Sequence, residues 1–161
     1  MKIVTLIILI LLPNLALATD KADLVLVIKS EAKLFLVKND KVFKAYKAAF
    51  GPNSRGHKQM EGDKRTPEGN YVLDYKKEKS PFYKSIHISY PNEEDRKRAE
   101  AAGVDPGGAI MIHGRKKAST QLQLWAMENL NWTEGCIAVS NSAMDDIWEA
   151  VDIGTPIEIR P

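Results

Sequence analysis

The chain has 161 residues, of which 44% are hydrophobic and 27% charged, with 23 lysines and arginines against 21 aspartates and glutamates and a formal net charge of +2. That is the size and balance of one ordinary globular domain. A single cysteine, Cys136, excludes an intrachain disulfide and with it a disulfide scaffold or zinc ribbon, and the near-neutral charge argues against a nucleic-acid binder, which needs a basic excess on one face.

The N-terminus reads as an export signal. Lys2 supplies a positive start, Ile3 to Leu12 is an unbroken apolar run, and helix-breaking Pro13 precedes Ala16-Leu17-Ala18, an A-x-A cleavage pattern. The expectation is a signal peptide over residues 1–18 and one domain over 19–161. The apolar run is about half as long as a bilayer span requires, so no stable membrane span is expected after cleavage. The domain is then periplasmic or otherwise extracytoplasmic. Exported cysteines usually pair, so a lone one is buried and inert, intermolecular, or reactive.

Along the mature region, Leu24 to Lys29 and Lys33 to Lys38 are β-rich runs, Asn39-Asp40 is a tight-turn pair, and Val42 to Phe50 alternates well enough to complete a three-stranded meander. Gly51 to Arg65 is a polar loop without hydrophobic periodicity, long enough to suggest a function. Thr66-Pro67-Glu68-Gly69 is a turn, Asn70 to Tyr75 a strand, and Ser85 to Ser89 another with His87 in its middle. Asn92 caps a short helix with Glu93, Glu94 and Asp95 in its first turn and Gly103 as its stop.

Ala109 to Ile112 reads as a buried strand delivering His113-Gly114, Ala118 to Asn129 as a helix, and Gly135 to Val139 as a short strand. Ser142-x-x-Asp145 has the form of a capping box opening a helix through Ile147, Trp148 and Val151, and Thr155 to Arg160 is the last strand. The sum predicts an α+β, β-dominated domain, a mixed β-sandwich or open barrel with two or three peripheral helices.

The first candidates for chemistry are His113 and Cys136. A thiol with pKa about 8.5 is mostly protonated at neutral pH, so a cysteine nucleophile needs a neighbouring imidazole or dipole. Both sit on strand-like segments bounded by glycine. Gly114 allows a sharp exit of the chain, and Gly135 allows a substrate carbonyl to approach backbone N–H groups that form an oxyanion region. Spacing alone leaves the plainer reading open: a cysteine before Ile-Ala-Val as a small core hydrophobe, and a histidine satisfied by its surroundings.

His57 and His87 are the other histidines, and no His-x-x-x-His or Cys-x-x-Cys spacing points to a metal. Neither a phosphate-cradling glycine loop nor a G-x-S-x-G elbow is present, so no cofactor is expected. The second candidate is Gly62 to Tyr71, either a plain loop turning into a strand or the rim of a cleft in which Arg65 binds a carboxylate bidentately.

These elements together resemble the L,D-transpeptidase family with the YkuD-type catalytic domain, which acts on bacterial peptidoglycan. The resemblance rests on the Leu-Phe-Leu-Val-Lys-Asn-Asp-Lys-Val hairpin, Thr66-Pro67-Glu68-Gly69-x-Tyr71, Ile112-His113-Gly114, and Thr133-Glu134-Gly135-Cys136-Ile137. The family's usual arginine two places after the cysteine is replaced by Ala138. With Glu61 to Pro67, Ser85 to Asn92 and Trp132 to Ala138, the chain looks like the short YafK-like branch, which includes enzymes that release a wall-linked lipoprotein.

The resemblance implies that His113 takes the proton of Cys136, and that the thiolate attacks the carbonyl at the L-centre of diaminopimelate in a stem peptide. An amine or water then resolves the thioester. The group orienting the base would be the Gly114 carbonyl or His87. Arg65, Tyr71, His87, Arg115 and Thr133 are the expected substrate contacts, and the expected partners are peptidoglycan stem peptides and a wall-linked lipoprotein. A nonenzymatic wall-binding module is the alternative of another class. A sortase would call for Thr-x-Thr-Cys where this chain has Thr-Glu-Gly-Cys.

Overall fold

The structure, a computed structural model, describes residues 20–118 and 120–161. The expected signal peptide over residues 1–18 lies outside the described residues.

Strands β1 (Leu24–Ile28), β2 (Lys33–Lys38) and β3 (Lys41–Lys47) form the antiparallel meander that their alternation predicts. Asn39 and Asp40 both take positive φ, 49° and 60°, as a two-residue turn matched to strand twist requires. The remaining strands are β4 (Gly69–Ser80), β5 (Tyr83–Ile88), β6 (Met111–His113), β7 (Ile137–Ala138) and β8 (Pro156–Arg160). Helices are α1 (Glu93–Ala101), α2 (Gln121–Asn129) and α3 (Asn141–Ala150).

The eight strands make one mixed sheet in the order β3-β2-β1-β8-β4-β5-β6-β7. Its two ends meet. Ala49, just past β3, and Ala138 of β7 exchange backbone hydrogen bonds of 2.8 Å in both directions, so the two edges of the sheet are joined there. The result is the barrel-like form of the expected β-dominated α+β fold. Alternate residues Val25, Val27, Leu34, Leu36, Leu73, Ile86, Ile88, Ile112, Ile157 and Ile159 point inward, and α3 adds Met144, Ile147 and Ala150 to the same core.

Three local expectations change. The strand expected over Asn70 to Tyr75 runs on to Ser80 and returns from Tyr83, forming a hairpin whose Lys76-Lys77-Glu78-Lys79 segment is polar because most of it meets solvent. Trp148 of α3 supports it, with the ammonium groups of Lys76 and Lys84 lying 5.0 and 5.5 Å from its ring. Helix α2 begins at Gln121 and buries no side chain. Leu122 and Trp125 are 73% and 54% exposed, so its apolar residues do not build the core.

The cap of α3 is Ser140, not Ser142. The Ser140 side chain accepts from the Ala143 N–H at 3.1 Å, while Asp145 turns to Lys84 at 2.7 Å and Tyr83 at 3.0 Å. Helix α1 carries the capping box that its sequence implies: Asn92 accepts from Asp95 N–H and Asp95 returns a carboxylate to Asn92 N–H. Ser140→Ala is expected to cost about 1 kcal/mol in denaturant unfolding, the ordinary value of an N-cap. Ser142→Ala should stay within about 0.5 kcal/mol of wild type. Equal losses would reassign the cap.

Candidate active site

Strands β6 and β7 run parallel with Ile112 opposite Ile137 and His113 opposite Ala138. This register sets Cys136, just before β7, level with Met111, two residues before His113 on the neighbouring strand. The chain reaches Cys136 through a turn that Thr133 closes. Its hydroxyl accepts from the Gly135 N–H at 3.2 Å and donates to the Cys136 carbonyl at 2.7 Å. The Thr133 N–H is itself held by the Phe50 carbonyl at 3.0 Å.

Gly135 has φ of +120°, and a Cβ there would stand 2.6 Å from the Arg65 carbonyl oxygen, so the turn admits only glycine. The loop that supplies this carbonyl is organised by Asp63. Its carboxylate accepts from Lys58 Nζ at 2.8 Å and from the N–H groups of Gln59, Met60 and Arg65 at 2.7, 3.2 and 3.0 Å. Partial burial pushes the Asp63 carboxyl up, but the Lys58 ammonium and the backbone donors outweigh it and hold it below its ordinary 3.8.

His113 is buried, and its Nδ1 lies 2.6 Å from the Gly114 carbonyl. A carbonyl only accepts, so Nδ1 carries the proton and Nε2 is left as the basic nitrogen. The ring lies 4.7 Å from that of Phe82 and 5.8 Å from that of Trp132, edge-on to the latter. Gly114 is held in turn, since a Cβ there would come 2.6 Å from Asn141 Oδ1, the atom that accepts from the Arg115 N–H. His113 thus stands within a fixed frame.

Burial lowers the His113 pKa from its ordinary 6.5, the Gly114 bond opposing it. Burial raises the Cys136 thiol above its ordinary 9.0, with the Met111 N–H and the Lys58 ammonium opposing. Both directions favour a thiol beside a neutral imidazole over a preformed ion pair. The thiol meanwhile rests on the Ala109 carbonyl at 3.7 Å. Cys136 and His113 line one cavity of about 290 Å³ with Phe82, Lys116, Trp132, Thr133 and Glu134. A larger cavity of about 500 Å³ beside Lys29, Arg55 and Asn131 contains neither the cysteine nor a histidine.

Of the five expected substrate contacts, Thr133 alone lines the thiol cavity. Tyr71 is buried and donates to Asp95 at 2.9 Å; burial and that carboxylate keep its phenol protonated, so it is structural. His87 pairs with Asp74 at 2.7 Å and stacks on Tyr75 at 4.5 Å, leaving the Gly114 carbonyl as the partner of His113. The Arg115 guanidinium donates to Glu128 at 3.1 Å, and Thr133 closes the turn that carries the thiol. Arg65 reaches the site by its backbone carbonyl, while its side chain lines a different cleft.

Sequence reasoning missed Phe82, Lys116, Trp132 and Glu134 as cavity walls. Trp132 and Glu134 flank the cysteine motif and were legible by proximity. Phe82 comes from the tip of a hairpin that the local pattern hides. Among the described residues no group of three or more histidine, cysteine, aspartate or glutamate side chains is placed to hold a metal, and no helix is long and apolar enough to cross a membrane.

Two measurements probe the site's electrostatics. A carboxyl held low in the folded state stabilises above its unfolded pKa and loses that contribution as pH falls through its folded value. Unfolding free energy should therefore drop more steeply with acid below pH 3.8 in wild type than in Asp63→Asn. For the thiol, alkylation by iodoacetamide without substrate should still be rising at pH 9.0. A plateau already reached at pH 7 would indicate a resting thiolate.

A model of the YkuD family, the L,D-transpeptidase catalytic domain, matches residues 22–159. YafK of Escherichia coli strain K12, an L,D-transpeptidase by its assigned name, is 32% identical over 109 residues, covering 66% of this chain and 36% of YafK. The structure of Pgp2 from Campylobacter jejuni, a helical cell shape determining protein, superposes with TM-score 0.65 at 26% identity, covering 87% of this chain and 47% of Pgp2. LdtMt1, an LD transpeptidase solved in complex with imipenem, shares the fold at TM-score 0.54 and 17% identity, over 84% of this chain and 57% of its own. The chain spans about a third of the curated relative and about half of Pgp2.

Proposed function

Because the chain belongs to the L,D-transpeptidase catalytic-domain family, we propose that it is an exported peptidoglycan enzyme with Cys136 as nucleophile and His113 as general base. The observation that carries this reading is the single cysteine sharing a cavity with a histidine whose proton is committed to Nδ1 by the Gly114 carbonyl. A neutral imidazole with a free Nε2 is the state a general base requires.

In the reaction Nε2 takes the thiol proton as sulfur bonds to the carbonyl carbon at the L-centre of diaminopimelate. The oxyanion is assigned to the Cys136 N–H, because that of Gly135 already donates to Thr133. Collapse breaks the amide C–N bond, and the amine leaves with the proton that His113 carries. The resulting thioester is attacked by an acceptor whose proton returns to Nε2, and sulfur leaves as thiol. An amine acceptor makes the enzyme a transpeptidase. Water makes it a carboxypeptidase, or an amidase when the departing amine belongs to a wall-linked lipoprotein. The export pattern of residues 1–18 supports work in the periplasm or an equivalent compartment.

Imipenem, the ligand in the LdtMt1 complex, is a direct probe. Intact mass should show one adduct per wild-type chain and none on Cys136→Ala. With His113→Ala the adduct should form at least about a hundredfold more slowly, the low end for a lost general base. An unmodified wild type that also leaves purified muropeptides unchanged would overturn the reading. Muropeptide analysis then sorts the acceptor: new cross-linked dimers, tripeptides, or freed protein.

A further inference from the structure

The chain has six arginines, and four are engaged: Arg96 with the Pro91 carbonyl, Arg98 with Asp95, Arg115 with Glu128 and Arg160 with Glu158. Among the described residues the guanidinium groups of Arg55 and Arg65 have no hydrogen-bond or ion-pair partner, and both line the same cleft of about 320 Å³ with Pro52, Asn53 and Ser54. No acidic side chain lines it. Arg55 also borders the larger cavity beside Lys29 and Glu68, and two unpaired guanidinium side chains lining one concavity suit an anion with oxygens to share between two planar forks.

The backbone brings the two arginines near one another. Gly56 has φ of +80°, and Arg65 Nη1 lies 3.7 Å from where its Cβ would be, so the Arg65 side chain folds back over the residue that follows Arg55. Asp63 fixes both walls, holding the Arg65 N–H through its carboxylate and the Asn53 side-chain amide through its carbonyl at 2.9 Å. Arg65 also abuts the thiol turn, its carbonyl standing against Gly135. One rigid loop therefore presents the cations on one side and supports the nucleophile's turn on the other.

We propose that the Arg55–Arg65 cleft is a subsite, outside the thiol cavity, that takes a carboxylate of the substrate's stem peptide remote from the bond under attack. This rests on the acyl-enzyme reading above for the identity of the substrate, but not for the existence of the site. Near-neutral overall charge gives little long-range attraction for an anionic polymer, so local cations of this kind carry the recognition.

Calorimetric binding to a Cys136→Ala chain tests the cleft without needing turnover, so failure of the acyl-enzyme reading and failure of the subsite are distinguishable. With the stem tetrapeptide as probe, each of Arg55→Ala and Arg65→Ala should weaken binding about tenfold, the size of one charge-assisted hydrogen bond, and the lysine variants less. A tetrapeptide with amidated carboxylates should bind the parent weakly and be insensitive to both substitutions. Inorganic phosphate should compete with the tetrapeptide in the parent and not in Arg55→Ala/Arg65→Ala. Unchanged affinity in the double variant overturns the proposal. So does phosphate competition accompanied by no effect of amidation, which would mark a site for a free anion. Iodoacetamide labelling of Cys136 at the parental rate, in the same substitutions on the wild-type thiol, checks that the turn stays intact. If Arg65→Ala disturbs it, exposed Arg55 decides the question alone.

Discussion

The seam where residues 49–51 meet residues 131–138 is the constraint on which the site depends. Ala49 and Ala138 exchange backbone bonds, Phe50 accepts from the Thr133 N–H and donates to Asn131 Oδ1, and Gly51 lies so close to the Lys64 carbonyl that a Cβ would stand 2.0 Å from that oxygen. These contacts join the two ends of the sheet. They also position the turn that carries Cys136, because that turn is the last stretch of chain before β7. Closure of the fold and placement of the thiol are therefore one event, and a sheet that stayed open would leave the cysteine on an unanchored loop.

Polar chemistry around this seam is divided by burial. His113 and Cys136 lie deep enough that desolvation favours their neutral forms, so the resting pair is a thiol and an imidazole. Asp63 and Lys58 are also buried but satisfied, each by the other and by backbone groups, so their charges hold the loop's shape. Among the described residues the guanidinium groups of Arg55 and Arg65, on the outer side of the same loop, have no hydrogen-bond or ion-pair partner. Inward charges organise the loop and the outward arginines line a cleft, with Asp63 linking the two.

Membership of the L,D-transpeptidase catalytic-domain family agrees with this arrangement, and the structural match to Pgp2 extends over 87% of the chain. Most of the fold was legible because period-two alternation survives wherever a strand has one dry face, as in β1, β2 and β8. The extension of β4 past Tyr75 was not legible, since its largely wet Lys-Lys-Glu-Lys segment has no buried face to mark it. The α3 cap was misplaced for a related reason. Ser140 and Ser142 are chemically equal in sequence, and the engagement of Asp145 with Lys84 and Tyr83 on β5 removes the partner that a box at Ser142 would need.

By itself the sequence determined the strand-rich domain, the lone thiol and its glycine-bounded context, because those depend on local composition and spacing. Only the tertiary structure decided which candidate side chains share a cavity. Tyr71, His87 and Arg115 are of suitable chemical type, yet each is taken by a partner distant in the chain: Asp95, Asp74 and Glu128. Such pairings are set by through-space contact between segments, which no local pattern encodes. The converse holds for Arg55 and Arg65, to whose guanidinium groups, among the described residues, the fold brings no side-chain partner.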